Sequence, residues 1–483
     1  MLFNKNSAEA ARRGFMLKVI KRFNIYYVVV VIGFLLAIAL SLAVPAHMFA
    51  PDDWAYYYAV KNFSHGKLVI NDFLHFQQEK QAGQQGGLLI QYNRIAFNKW
   101  AVEKAPGYIF FLVPFELMGI PRWGNVLLAL GMTIVTYILL KRLRNEKTAC
   151  IGSLLMLFTP VSLIMLNRSY VDAFAANAFL VIGGGLYIYY CLERDKLRPM
   201  RGAVLLFLAF LFIGWSVLVR YTNLPVAVIF ALHFVITRLR ALLRRKNTRL
   251  QFEIPSVILG IGLPLALLLF YNITVFGSPF SSGYDYSSFP VKFAYQYIGA
   301  VDPAGQSIPL KIIEGNLRNV PWPLFIGYPL LLIGIPGIFI VFYQKIAALF
   351  KRYSLPGTWA GLDTELPWDI LLILIGWFIC VFGLYMMYEW TSTAQMIGLP
   401  FIQMKQVPFI EFARFYLPGL LPIVVIVSLI IARFPIKLWA ALLVIAIVVG
   451  SSLYLHTALG ETLIPLLTKF PNPQLIPPRF APP

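Results

Sequence analysis

Long apolar runs recur along the whole chain, and each approaches the length that a helix needs to cross a bilayer. About 20 apolar residues in a helix span the roughly 30 Å of hydrocarbon. We predict eleven membrane-spanning helices, at 25–46, 123–140, 148–166, 173–191, 202–219, 222–237, 254–273, 324–343, 369–388, 415–432 and 438–455. With 59% hydrophobic and only 13% charged residues, the composition excludes a soluble globular protein and a disordered one. The predicted fold class is an all-α polytopic membrane protein.

The distribution of basic residues predicts the orientation of these helices. Six lysines and arginines lie in the first 24 residues, and the segments that an odd span count places inside hold 25 of the 41. Because short cytoplasmic loops are enriched in Lys and Arg, the basic N-terminus 1–24 is predicted to be cytoplasmic and the C-terminus extracytoplasmic. The predicted location is the cell (plasma) membrane, and the predicted organisation is a membrane domain at 25–455, extracytoplasmic loops at 47–122, 274–322 and 390–413, and a Pro-rich extracytoplasmic tail at 456–483.

The apolar segment 107–120 is short and bounded by prolines, so we interpret it as a helix at the outer interface. Counting it as a span would turn the basic cluster at 141–147 outward, against the charge rule. The three cysteines lie in or beside apolar runs and are read as small core residues. The triple glycine 183–185 lies inside a predicted span, where it favours close helix packing.

Two adjacent acids, Asp52 and Asp53, follow the first predicted span. Paired carboxylates at a membrane surface hold a divalent cation or act as a general base. The alternative is structural, because Pro51 followed by two acids is also a good helix start that satisfies free N–H groups. Either acid is a candidate catalytic residue.

Glu103 and Lys104 lie at the far end of the same loop, before the predicted interfacial helix. The carboxylate is a candidate metal ligand, together with Asp53, and the ammonium is a candidate phosphate contact. The alternative is a solvated charge pair that contributes less than about 1 kcal/mol. A divalent metal ion is therefore a candidate cofactor.

Three arginines lie at the predicted outer ends of spans: Arg168, Arg220 and Arg414. Charges at membrane depth are costly and usually face an interior site, and several converging arginines suit a phosphate. The alternative is snorkelling to lipid headgroups. Tyr56, Tyr57 and Tyr284 are candidate substrate-lining residues, although the tyrosines after the acid pair equally suit an interfacial aromatic belt.

The order of these motifs along the chain, and their predicted position on the extracytoplasmic side of the membrane, resemble the GT-C glycosyltransferases. The similarity is to the branch with protein O-mannosyltransferases and the aminoarabinose transferases acting on lipid A. An acidic pair follows the first span, and Lys-x-Pro-Gly opens the apolar helix at residue 107. Three further segments are similar to motifs of this family. They are the Arg-x-Thr-Asn turn at 219–223, the Asn…Phe-Gly-Ser-Pro segment at 271–280 and the Arg-Phe-Tyr-Leu-Pro segment at 414–418.

The resemblance implies transfer of a sugar from a polyprenyl-phosphate-linked donor to an acceptor hydroxyl on a lipid, glycan or protein at the extracytoplasmic face. It implies that Asp52 or Asp53 serves the acceptor, that Glu103 is a metal ligand, and that Lys104 and the outer arginines face the donor phosphate. This chain has Ala105 where the aminoarabinose transferase branch has its first proline.

Two other classes of function fit the same sequence. A non-catalytic lipid- or glycan-binding subunit would keep the spans and could lose the base, and the presence of the acids and Lys104 weighs against it. A secondary transporter fits the span count, but the long outer loops and the lack of a matching pair of interrupted spans argue against it. No nucleic-acid partner is expected, because basic residues in a membrane protein set topology.

Overall fold

The computed structural model describes residues 25–43, 51–71, 91–244, 249–287, 292–349, 366–389 and 413–433. The predicted N-terminal segment 1–24, the loop 390–413 apart from its last residue, the span 438–455 and the tail 456–483 lie outside this part of the chain. The first predicted loop, 47–122, is described from residue 51 to 71 and from residue 91 onward.

The described residues form fifteen α-helices and one two-stranded sheet. The first eight helices are α1 Ile25–Ala43, α2 Pro51–Ser64, α3 Gly107–Leu117, α4 Arg122–Leu143, α5 Glu146–Phe158, α6 Pro160–Asn167, α7 Asp172–Glu193 and α8 Pro199–Val219. The others are α9 Leu224–Leu243, α10 Leu250–Phe276, α11 Ile308–Asn319, α12 Pro321–Gly327, α13 Leu331–Leu349, α14 Trp368–Met386 and α15 Leu420–Ile431. Short 3₁₀ turns cover Tyr221–Asn223, Gly283–Tyr286, Ala294–Tyr297 and Arg414–Gly419.

Eight helical segments within the described residues are long and apolar enough to cross a membrane, or nine if α5 and α6 form one span. This confirms a mostly helical, multi-pass architecture but not the predicted count of eleven. The predicted span 148–166 is two helices bent by 57°. The bend falls at Thr159, whose extended backbone is what a residue before proline prefers.

Two further segments differ from the sequence prediction. The predicted span 324–343 is divided between the seven-residue helix α12 and α13, which begins at Leu331 and whose apolar stretch is shorter than a full span. The apolar segment 107–120 contains the 11-residue helix α3, which is shorter than a full span; its place at the outer interface stays a prediction.

The first loop also contains a β-hairpin that an all-α class does not include. Strand β1, Tyr92–Ala96, pairs antiparallel with β2, Lys99–Val102, and Tyr92 lies opposite Val102. The tight turn is made by Asn98 in a left-handed conformation, which Asn tolerates better than most residues. Because β2 ends at Val102, the hairpin sets the position of Glu103 and Lys104.

Close backbone approaches hold the bundle around this loop. A Cβ on Gly183 of α7 would lie 2.6 Å from the backbone nitrogen of Ile213 in α8, so these helices pack closely, as the triple glycine predicts. A Cβ on Gly107 would lie 2.5 Å from the carbonyl carbon of Leu218 at the end of α8. The start of α3 therefore lies directly against the turn that carries Arg220.

Candidate functional site

The acid pair lies in the first turn of α2, where Pro51 occupies the opening position of the helix. Both acids are buried, Asp53 more completely than Asp52. Each contacts cationic side chains that are distant in sequence, and they contact different ones. A role in starting the helix therefore does not account for their contacts.

Asp52 lies between two cations from separate segments. Lys104 donates to its Oδ1 over 2.6 Å, Gln91 donates to the same oxygen over 2.6 Å, and Arg414 Nη2 donates to Oδ2. Burial alone would raise the pKa of the Asp52 carboxyl, but Lys104, Arg414 and the hydrogen bond from Gln91 outweigh it and hold the pKa well below its usual range. Asp52 is therefore ionised near neutral pH.

Lys104 is charged for the same reason. Burial would lower the pKa of its ammonium, but the carboxylates of Asp52 and Glu103 outweigh burial and raise it. The Lys104 side chain is 11% exposed and that of Arg414 is 5% exposed, so both cations lie inside the protein. The structure thus brings together three sequence-predicted residues, Asp52, Lys104 and Arg414.

Arg220 adjoins this group through an aromatic ring. Its guanidinium carbon lies 5.3 Å from the centre of the Phe415 ring, and that of Arg414 lies 5.1 Å from the same centre. Arg220 is also held by Asp172, with Nε 2.9 Å from Oδ2 and Nη2 2.5 Å from Oδ1. The ring of Phe415 therefore joins two of the predicted arginines by cation–π contacts.

Arg168 pairs with the other acid. Its Nη2 lies 2.6 Å from Oδ2 of Asp53 and its Nε lies 3.4 Å from Oδ1. Asn125 fixes the same turn, because its amide donates to the carbonyl of Arg168 over 3.2 Å. The structure therefore groups Arg168 with Asp53, rather than with Lys104 and Arg414.

Glu103 contacts neutral groups besides its charged neighbour. Its Oε2 accepts hydrogen bonds from Asn93 over 3.1 Å and from Ser287 over 2.7 Å. The backbone at Gly283 packs against this residue, since a Cβ there would lie 2.6 Å from the Glu103 Cα. Glu103 thus ties the hairpin to the segment that follows α10.

These contacts do not form a metal ligand set from Glu103 and Asp53. The Asp53 carboxylate is engaged by the guanidinium of Arg168, and Glu103 accepts from an amide and a hydroxyl. In the part of the chain that the structure describes, no three His, Cys, Asp or Glu side chains are grouped so as to hold a metal ion. The predicted metal site is therefore not supported by these residues.

The three predicted lining tyrosines lie in different surroundings. Tyr56 is fully buried against Tyr108, with ring centres 5.5 Å apart, and burial with the nearby Asp172 raises its pKa well above the usual value. Tyr284 is 45% exposed and faces the Tyr221 ring at 6.0 Å. Tyr57 instead packs against Tyr170, with ring centres 5.2 Å apart.

Three residues of this site were missed in the sequence: Gln91, Asp172 and Phe415. Asp172 carried a usable signal, because it is an acid at the start of an apolar run and charges at membrane depth are usually paired. Gln91 and Phe415 carried none, since an amide in a polar loop and an aromatic beside an apolar run are both ordinary.

Comparison with solved structures identifies the fold. The oligosaccharyltransferase of Archaeoglobus fulgidus in its apo form superposes with a TM-score of 0.53 at 11% identity over 95% of this chain. ArnT from Cupriavidus metallidurans, bound to undecaprenyl phosphate, gives 0.51 at 13% identity over 95%. The archaeal enzyme in complex with Zn and sulfate gives 0.50 at 13% identity over 94%.

The chain spans 60% and 57% of the archaeal enzyme in its two forms and 67% of ArnT. No family model matches the sequence, and no curated protein matches it. At this level of identity the structural similarity establishes the architecture rather than the activity. The chain therefore shares the helical membrane fold of these solved proteins, the archaeal oligosaccharyltransferase and ArnT.

Proposed function

We propose that this chain is a membrane glycosyltransferase that moves a sugar from a polyprenyl-phosphate-linked donor to an acceptor hydroxyl at the extracytoplasmic face. The observation that carries the proposal is the convergence of Asp52, Lys104 and Arg414 from three separate segments in a GT-C fold. Arginine and lysine side chains bind an anionic phosphate, and a general base accelerates attack by a hydroxyl nucleophile. This cluster supplies both.

In the proposed reaction the acceptor oxygen bonds to the anomeric carbon of the sugar. The bond from that carbon to the phosphate oxygen breaks, and its electron pair stays on the departing polyprenyl phosphate. Lys104 and Arg414 stabilise the charge on that phosphate, because preorganised cations in a low-dielectric site need no reorganisation during the reaction. The acceptor proton passes to the carboxylate of Asp52.

Asp52 is the better base of the two adjacent acids. It adjoins both proposed phosphate ligands, so a hydroxyl attacking the sugar would lie close to it. Asp53 is 1% exposed and engaged by Arg168 through both carboxylate oxygens. We assign Asp53 a structural role, and the proposed steps use only side chains of this chain.

The second candidate function is a non-catalytic subunit that binds a polyprenyl phosphate. The observation that favours it is that Asp52 already accepts from Lys104, Gln91 and Arg414. A carboxylate with these contacts is a poor base until a partner leaves. Such a subunit would bind the lipid phosphate and transfer no sugar.

The test is sugar transfer by the purified full-length protein in lipid nanodiscs. Undecaprenyl-phosphate-linked sugars are supplied with extracted membrane acceptors, and release of undecaprenyl phosphate is measured. We expect the Lys104→Ala protein to lose about 10²–10³-fold in rate, as when one transition-state donor is removed.

Lys61→Ala is the matched control. Lys61 lies on the same first loop and pairs with Glu116, outside the Asp52 cluster, and it is 37% exposed. We expect less than about a threefold effect of this substitution on the transfer rate, because the Lys61–Glu116 pair lies outside the Asp52 cluster. Equal rates for Lys104→Ala and the unmodified protein would contradict the proposed phosphate role of Lys104. Binding of undecaprenyl phosphate without any transfer would favour the subunit.

A further inference from the structure

We propose that Asp52 occupies the position of the donor phosphate, so that the donor must displace its carboxylate from Lys104 and Arg414 in order to bind. The inference rests on the proposed function and adds an order of events to it. Displacement would free the oxygens that these cations occupy, and only then would Asp52 accept a hydrogen bond from the acceptor hydroxyl. Donor binding would therefore precede activation of the acceptor.

The geometry of the cluster supports an exchange of anions. Oδ1 of Asp52 contacts Lys104 and Oδ2 contacts Arg414, so the carboxylate bridges the two cations with one oxygen each. A phosphate also presents several anionic oxygens and binds Lys and Arg in the same manner. The two anions therefore compete for the same pair of donors.

Burial explains why an internal anion belongs at this position. The exposed fractions of the Lys104 and Arg414 side chains are 11% and 5%, and at such buried positions the loss of a contacting carboxylate would cost several kcal/mol. The Asp52 carboxylate removes that cost before a lipid arrives. Gln91 Nε2 lies 2.6 Å from Oδ1 of Asp52, so it would still hold the carboxylate after the phosphate has displaced it from the two cations.

The neighbouring acid provides a built-in comparison. Asp53 lies on the same helix turn and is also paired with an arginine, but its partner is Arg168 rather than either proposed phosphate ligand. Neutralising Asp53 removes the same charge from almost the same place without releasing Lys104 or Arg414. The pair of substitutions thus separates competition for two cations from a general change in local charge.

The test measures the dissociation constant of undecaprenyl phosphate, without a sugar, for the full-length protein in nanodiscs. We expect the Asp52→Asn protein to bind it about tenfold more tightly than the unmodified protein, because a neutral amide competes for the two cations much less strongly than a carboxylate does. Asp53→Asn should stay within about twofold of the unmodified value, and undecaprenol, which lacks the phosphate, should bind all three proteins equally. A tenfold change corresponds to about 1.4 kcal/mol.

The outcomes separate this inference from the proposed function. If the unmodified protein binds undecaprenyl phosphate no better than undecaprenol, the proposed donor is wrong. If it prefers the phosphate but Asp52→Asn binds equally or more weakly, or if Asp53→Asn tightens as much, the competition between Asp52 and the phosphate is wrong.

Instability of the variant also gives a result. Asp52→Asn and Asp52→Ser both remove the carboxylate that Lys104 and Arg414 contact, so either protein is expected to be less stable before lipid is added. Adding undecaprenyl phosphate during purification should raise the melting temperature of each variant to that of the unmodified protein. If the unmodified protein binds undecaprenyl phosphate but this lipid does not raise the melting temperature of the variants, the proposal is wrong.

Discussion

The structure pairs Arg168 with Asp53 and separates both from the proposed phosphate ligands. This buried pair offers the most demanding test of that grouping. The two residues are 2% and 1% exposed, and they share a contact of 2.6 Å and one of 3.4 Å. Removing one partner of such a buried pair leaves an uncompensated charge and costs about 3–5 kcal/mol. We therefore expect Arg168→Met, which keeps the volume and removes the charge, to reduce the free energy of unfolding by about 3–5 kcal/mol.

The assay is unfolding of the purified protein in mixed micelles as the denaturing detergent is increased. The double variant Arg168→Met with Asp53→Leu should recover much of the loss, because replacing both charges by apolar groups removes the cost of burying them. The pair should therefore show a coupling energy of about 2 kcal/mol in a double-mutant cycle. Lys141→Met is the control, since its pair with Glu146, with side chains 43% and 34% exposed, should cost less than about 1 kcal/mol.

Two results would refute this reasoning. One is a loss of less than about 1 kcal/mol for Arg168→Met, or additivity with Asp53→Leu. The other is a loss of undecaprenyl phosphate affinity in folded Arg168→Met as large as that in Lys104→Ala. The second result would return Arg168 to the phosphate site, where the sequence alone placed it.

Two further predictions follow from the contacts and the charge distribution. Phe415→Leu should weaken binding of undecaprenyl phosphate by about tenfold, because Arg220 and Arg414 each lose a cation–π contact worth about 0.5–1 kcal/mol. Phe280→Leu, at an exposed loop position, is the control. An equal effect of both substitutions would contradict the prediction. In a protein whose native cysteines are replaced by serine, a membrane-impermeant thiol reagent should label Phe97→Cys in the first loop from outside and spare Lys196→Cys; the reverse pattern would invert the predicted orientation.

Eight of the eleven predicted spans match helices that are long and apolar enough to cross a membrane, because such a helix needs a long apolar run and little else. The bend at Thr159 was not anticipated, although Pro160 is the residue that interrupts the helix. The hairpin was missed because its turn residues, Phe97 and Asn98, lack the Asn-Gly or Asp-Gly pattern that marks a tight hairpin turn. Local sequence thus predicted the apolar helices better than the loop between them.

The sequence predicted individual site residues but not which of them contact one another. Asp52, Lys104 and Arg414 each carried a local signal, yet Asp52 and Arg414 are 362 positions apart. Equally good signals at Arg168 and Asp53 led to a different, fully buried pair. Which cation meets which acid depends on how the helices pack around the first loop, and no local pattern encodes that.

The central claim is that Lys104 and Arg414 bind the phosphate of a polyprenyl-linked donor. It is tested most directly by a cryo-EM structure of the full-length protein in nanodiscs with undecaprenyl phosphate bound. We predict density for the phosphate within hydrogen-bond distance of Lys104 Nζ and Arg414 Nη2, with the Asp52 carboxylate moved away from both and still close to Gln91. A phosphate bound elsewhere, or one bound while Asp52 keeps both cations, would contradict this account.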